Sequence, residues 1–288
     1  MRTYHDILKD ILANGSRQAN RTGIDTISIP GASARYDLAD GFPAVTTKRL
    51  AWKAVVGELI GFLRGYDNAA QFRSLNCRIW DQNANENTQW LANPNRQGLD
   101  DLGRIYGVQW RRWRDGQGGE VDQVMQALRT LHERPIDRRI IINAWRPDEF
   151  DQMALPPCHV LYQLVANVER RELSLCMYQR SVDSFLGLPF NVASASLLLS
   201  IFARLTGFAP RYFTHFMADT HIYVNHLDQV EEMLHRSPRE MPQLLINERI
   251  PFGAGAAFDP TWIDRIEPED FVLEGYDPHP TIKAPMAV

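Results

Sequence analysis

Apolar side chains recur at the start of the chain as Tyr4, Ile7, Leu8, Ile11 and Leu12, the spacing of one helix face, and the pattern stops at Gly15. Val55, Leu59, Phe62 and Leu63 repeat that spacing ahead of Gly65 and predict a second helix. "DTISIPG" alternates instead, which predicts a strand. "CHVLYQLVANVERRELSLCMYQRS" reads as two strands around a polar turn at Glu169 to Arg171, the first starting at Cys158 and the second carrying Leu173, Leu175 and Met177 on one face. From Pro189 to Arg204 almost every position is apolar, predicting a helix buried on most sides and ended by Gly207. Helices are interspersed with strands, yet the hairpin demands antiparallel pairing, so the chain is α/β of the α+β type and a purely parallel, doubly wound sheet fits poorly. The polar stretch "NANENTQWLANPNRQGLDD", residues 83 to 101, reads as an excursion or lid, and no linker divides the chain into two domains.

Composition narrows the partners. The 288 residues are 44% apolar, enough for a substantial core, and the formal charge of -4 comes without a long basic run. Non-specific nucleic-acid binding therefore has little to work with, and a small-molecule partner fits better. No uninterrupted apolar run approaches the roughly 20 residues of a membrane span. The start "MRTYHDILKD" is amphipathic without a signal-peptide core, so a cytoplasmic location is expected. Cys77, Cys158 and Cys176 are an odd set without CxxC spacing, which supports neither a disulfide framework nor metal ligation. There is no GxGxxG or Walker A pattern.

A few polar residues stand out of phase with their surroundings. Cys158 follows two prolines and precedes a histidine in "ALPPCHVLYQ", and Glu58 lies between Val55 and Phe62 on an apolar helix face. Arg180, Ser181 and Asp183 cluster beside a Gly-Leu-Pro turn, Asn191 sits in the first turn of the apolar helix, and His221 and Tyr223 fall on a short polar segment after the strand-like "RYFTHF". Taken one at a time, a core hydrophobe, a satisfied polar group, a helix cap or an ion pair explains each of them as well as chemistry does.

Together they carry a resemblance. "NRTG", "DGFPAVTTKR", "RIYGVQWR", "DRRIIINAW", "MALPPCH", "YQRSVDSFLGLPFN", "DTHIYVNH" and the C-terminal "GYDPHPTIKAPMAV" follow one another as they do in the folate-dependent, cysteine-using thymidylate synthase family, which the chain resembles from residue 20 to its end. The resemblance implies a single catalytic domain over residues 1–288, built around a large mixed sheet flanked by helices, with two subunits packed sheet against sheet. It implies methylation of dUMP to dTMP with 5,10-methylenetetrahydrofolate as donor of both the one-carbon unit and a hydride, and no metal. In that chemistry the thiolate of Cys158 adds to C6 of uracil, and the resulting enolate attacks through C5, which is otherwise a poor nucleophile. An ordinary thiol, with a pKa near ~8.5, is mostly protonated at neutral pH, and Arg180 is the implied neighbouring cation.

The other implied roles attach to the same motifs. Arg21, Arg180 and Ser181 hold the phosphate, and Arg138 and Arg139 reach it from the other subunit of a homodimer. Asn191 reads the O4 and N3–H edge of uracil, and His221 and Tyr223 bind the deoxyribose hydroxyl, with Val182, Asp183 and Ile222 in the same nucleotide contact set. Glu58 organises a proton relay, assisted by Tyr106 and His159. Asp183 contacts the pterin, Ile79, Trp80, Leu186, Gly187 and Phe190 wall the folate pocket, and the tail through Ala287 and Val288 closes over it.

The chain departs from the commonest bacterial pattern at Ala51, Gly61, Asn83 and Met217-Ala218, where that pattern has a histidine, two tryptophans and two glycines. If the pocket admitted water, hydroxide in place of hydride would give 5-hydroxymethyl-dUMP, so a dUMP hydroxymethylase stays open as the second reading. A non-catalytic nucleotide- or RNA-binding homologue is the third, and joint retention of Cys158, Glu58 and Asn191 argues against it.

Overall fold

The computed structural model describes residues 2–286. Helix α1 (Arg2–Asn14) is followed by β1 (Ser16–Gln18), β2 (Thr26–Asp37) and α2 (Trp52–Leu63). Three short helices, α3 (Ala69–Ser74), α4 (Asp81–Asn85) and α5 (Thr88–Leu91), lead to α6 (Tyr106–Arg111), a small ladder of β3 (Trp113–Arg114) and β4 (Glu120–Val121), and α7 (Gln123–Glu133). Then come β5 (Ile141–Asn143), β6 (His159–Asn167), β7 (Glu172–Asp183), α8 (Gly187–Thr206), β8 (Ala209–Tyr223), α9 (Leu227–Leu234) and the paired strands β9 (Gln243–Ile246) and β10 (Phe271–Glu274).

Six strands form one sheet in the order β1-β2-β8-β7-β6-β5. Only the pair β7 and β8 is parallel, and α8 provides the crossover that parallel strands require. The mixed sheet and its flanking helices are thus as expected. On its inner face β7 buries Leu173, Leu175 and Met177, and β8 buries Phe213, His215 and Met217 against α8. Helix α8 is long and apolar enough to cross a membrane by composition, but it lies buried between the sheet and α2. It ends where Gly207 takes φ +75°, a left-handed conformation that glycine adopts without a Cβ penalty.

On the other face of the sheet Ile141, Val165, Tyr178 and Phe216 stand 41 to 50% exposed. Alternation should place polar side chains on such a face if water covered it.

Two boundaries differ from those read in the sequence. Strand β6 begins at His159, and Cys158 stands just ahead of it, its N–H given to the Tyr106 hydroxyl at 2.7 Å and not to a neighbouring strand. "RYFTHF" and "DTHIY" are one continuous strand, because β8 is hydrogen-bonded to β2 on one side and β7 on the other along its length. Residues 83 to 101 are an anchored excursion. Trp90 is 2% exposed and donates to the Asp101 carbonyl, and Arg73 forks onto Asp100 at 2.9 and 2.6 Å while also reaching Asp81. Burying one such aromatic side chain stabilises by about 2 to 3 kcal/mol.

Candidate active site

The inner face of β7 passes from core to cleft within one strand: after Leu173, Leu175 and Met177 the same parity delivers Gln179, Ser181 and Asp183 to a cleft of about 500 Å³. Cys158 and His159 line the same space. A register shift between β6 and β7 at His159/Leu161 is what turns His159 inward beside Gln179 while Tyr162 and Leu164 still face the core. Bulges of this kind re-aim side chains at sites.

The loop bearing Cys158 is braced from two sides. The Tyr106 oxygen accepts its N–H, and the Arg180 guanidinium donates from Nε to the Pro157 carbonyl at 2.8 Å and from Nη2 to the Pro156 carbonyl at 3.0 Å. Arg180 also donates its backbone N–H to the Cys158 carbonyl at 2.9 Å. Because the Tyr106 oxygen acts as acceptor here, its own hydrogen is free to be donated elsewhere.

Three further groups around the thiol are held in their neutral forms. Glu58, on α2, is 6% exposed and burial raises its pKa to about 8; its Oε1 accepts from Trp80 Nε1–H at 3.0 Å. The second carboxyl oxygen is left to the cleft that Glu58 lines. Tyr106 stacks on Phe62 with ring centres 4.9 Å apart, and burial holds its phenol well above the usual range. Burial pushes His159 down to about 4, so its ring is neutral at pH 7, with Nδ1 hydrogen-bonded to the Tyr162 hydroxyl at 3.0 Å. A thiol thus sits among proton donors and acceptors that carry no charge.

Asn191, on α8, lines the cleft and accepts at Oδ1 from Gln179 Nε2 at 3.1 Å. Ser181 donates its hydroxyl to Asp219 Oδ2 at 3.3 Å. Asp219 also lies 3.3 Å from His221 Nδ1, and it is held down to about 2 mainly by that histidine and Ser28. Tyr223 lines the cleft and meets the His221 ring edge to face at 5.2 Å between centres. Asp183 Oδ1 accepts from the N–H groups of Phe185 and Leu186 at 2.9 and 3.2 Å, which fixes the turn into α8 and leaves the other oxygen at the cleft.

Ile79, Trp80, Leu186, Gly187 and Phe190 form an apolar end, and Arg21 stands exposed at the rim. Val182 and Ile222 are 2% and 0% exposed and their side chains belong to the core, which leaves their backbone for the expected nucleotide contact. Arg138 and Arg139 are exposed ahead of β5, outside this chain's cleft, with Arg139 paired to Asp137 at 2.9 Å. Ala287 and Val288 lie outside the described residues, but Thr281, Ile282 and Met286 line the cleft, and His226 Nε2 donates to the Pro285 carbonyl at 2.7 Å. Ala51 and Asn83 are also at the cleft.

Sequence reasoning missed Gln179 and Lys48. Lys48 is 6% exposed, reaches the Phe185 carbonyl, lies 3.7 Å over the Phe185 ring, and is lowered to about 8 by burial. A lysine closing "FPAVTTK", where four apolar residues lead into two threonines, was the available signal. Among the described residues no group of three or more His, Cys, Asp or Glu gathers as a metal site.

The family model described as thymidylate synthase matches residues 2–288. Thymidylate synthases of Pseudomonas putida, Pseudomonas syringae pv. tomato and Bordetella parapertussis are 50%, 48% and 47% identical to the chain over 323 aligned positions, covering all of both partners in each case.

Proposed function

We propose residue roles for a chain that belongs to the thymidylate synthase family and converts dUMP to dTMP with 5,10-methylenetetrahydrofolate as co-substrate. The observation that carries them is the placement of the Cys158 thiol in a cleft with Glu58, Tyr106, His159 and Asn191. Cys158 adds to C6 of the pyrimidine. The Arg180 fork on the two preceding carbonyls fixes the loop and places positive charge on its flank.

Charge that develops on O4 during addition meets donors that are already neutral and oriented. Glu58 carries a proton at pH 7, Tyr106 has a free hydroxyl hydrogen, and His159 is an uncharged imidazole, so none of them adds a buried charge. The C5 proton, which comes from the substrate, then passes to a group of this set with a lone pair for it, the Tyr106 oxygen or the neutral His159 ring. Asn191 reads O4 and N3–H. Arg21, Ser181 and Arg180 lie on the phosphate side, and His221 and Tyr223 on the sugar side. The apolar wall from Ile79 to Phe190 and the free oxygen of Asp183 take the folate, under the tail that begins at Thr281.

The exposed apolar side chains on one face of the sheet support a homodimer packed sheet against sheet. That packing lets Arg138 and Arg139, exposed here, complete the partner's phosphate site. The continuous core from Tyr4 to Ile282 supports one catalytic domain, and three free cysteines support a cytoplasmic location.

The hydroxymethylase alternative is not favoured, since the full-length relatives are named thymidylate synthases. Turnover of dUMP with methylenetetrahydrofolate should give a product with the mass of dTMP. Cys158→Ser should abolish that turnover while dUMP still binds. Normal turnover by that variant would refute the nucleophile assignment, and a hydroxymethyl product would reinstate the alternative.

A further inference from the structure

Gln179 is 2% exposed, and its whole amide is engaged. Nε2 donates to the Ser181 carbonyl at 2.9 Å and to Asn191 Oδ1 at 3.1 Å, and Oε1 lies 2.8 Å from His215 Nε2. His215 lies on β8, the strand paired with β7, and is fully buried. Its Nδ1 has no partner. An imidazole there is neutral, because burial, with His159 nearby, pushes its pKa down to about 3. It therefore carries one hydrogen. Placed on Nε2, that hydrogen satisfies the Gln179 oxygen; placed on Nδ1, it would leave an orphan buried donor and set two lone pairs against each other.

We propose that His215 is a positioning residue for base selection: its Nε2–H fixes the Gln179 amide, which in turn fixes which end of the Asn191 amide faces the pyrimidine. With Gln179 held as a donor toward Asn191, Oδ1 is the Asn191 atom on that side and Nδ2 is the one presented to O4. Without the His215 hydrogen, the Ser181 carbonyl alone holds the Gln179 amide in this orientation, and in molecules where the amide turns over Asn191 follows. Oδ1 then stands where O4 would sit, an acceptor suited to the amino group of cytosine. One hydrogen on β8, acting with the Ser181 carbonyl on β7, thus biases the donor and acceptor order read on α8. This rests on the reading above that Asn191 meets the pyrimidine edge.

The test compares kcat/KM for dUMP and dCMP, followed by methylenetetrahydrofolate-dependent release of the C5 hydrogen, in the full-length protein and its His215→Phe, His215→Trp and Asn191→Asp variants. His215→Phe keeps an aromatic ring beside Phe213, whose ring centre lies 5.5 Å away, but removes the donor. Its preference for dUMP over dCMP should fall about tenfold, the scale of one reversed buried polar contact. Inhibition by inorganic phosphate should hold, since phosphate does not touch the base-reading side. In His215→Trp the indole N–H donates only, and the preference should return.

If Asn191→Asp shifts the preference and His215→Phe does not, the proposal is overturned while the Asn191 reading stands. If neither shifts it, Asn191 does not read the base and both fail. A measurement on the unmodified protein does not depend on how the variants fold: with histidines labelled with nitrogen-15, His215 should show a protonated Nε2 and a bare Nδ1, with or without dUMP. A hydrogen on Nδ1 would overturn the proposal by itself.

Discussion

Replacing Glu58 by glutamine separates two consequences of burying a carboxyl group. The folded pKa is about 8 against 4.5 for the exposed group, so between those values the native state keeps a proton that the unfolded chain has lost. Below pH 4.5 both states are protonated and the burial brings no pH-dependent penalty. Stability then falls as pH rises through the window, and above about 8 the penalty is constant because both states are ionised. At ~1.4 kcal/mol per pH unit, the loss between pH 5.5 and 7.5 is about 2 to 3 kcal/mol.

The amide introduced by Glu58→Gln cannot ionise, and its oxygen can still accept from Trp80 Nε1–H. The variant should therefore be less sensitive to pH by about 2 to 3 kcal/mol over that interval and more stable at pH 7.5. Its turnover should fall at least ~100-fold, the low end of general acid–base contributions. Urea unfolding of both proteins at the two pH values and one protein concentration measures this. Taking the difference between proteins cancels the titrations that they share, His159 and His215 among them. Equal pH dependence in the two proteins would mean that Glu58 is ionised in the folded state, and the proton-storing role would fall with it.

Subunits carrying Cys158→Ser and subunits carrying Arg139→Ala, each inactive alone, should regain turnover when refolded together, because each mixed dimer holds one site free of both lesions; inactive mixtures with proven heterodimers would sink the shared site. Arg73→Leu unties Asp100 and should raise KM for the folate several-fold with little effect on KM for dUMP, since Asn83 and Asn87 line the cleft from the excursion that Arg73 anchors. His159→Phe should remove part of the protein's acid sensitivity: the buried ring at about 4, against 6.5 when exposed, brings stability that is present above pH 6.5 and lost as pH falls, about 3 kcal/mol at most. Unfolding curves at pH 5 and 7 that move in parallel for variant and parent would contradict that.

Elements buried on one side are legible through their period, and α8 through the length of its apolar run. Helix α1 and the two strands of the hairpin show their periods because water covers the opposite face of the helix and the hairpin's ends are marked by a polar turn. Strand β8 reads as two pieces because it buries the polar residues His215, Thr220 and His221, which breaks the apolar alternation along it. The bulge after His159 is invisible for a related reason, since one inserted residue changes the parity of everything before it while leaving the hydrophobic count unchanged.

The site shows the same logic more sharply. Glu58 stands out as a carboxylate in the apolar phase of a helix, and the same test on β7 singles out Gln179, which continues Leu173, Leu175 and Met177 at strand spacing. Applied to β8 it singles out His215 after Phe213. Both lie within reach of the pattern and escape notice because neither residue type suggests chemistry on its own. Gly61 shows the opposite limit. A Cβ there would lie 2.3 Å from the Phe72 ring, so Phe72, carried on α3, occupies the space beside α2. A departure from a family pattern at one position can thus be a volume held by another element, and only the packing tells an emptied pocket from a refilled one.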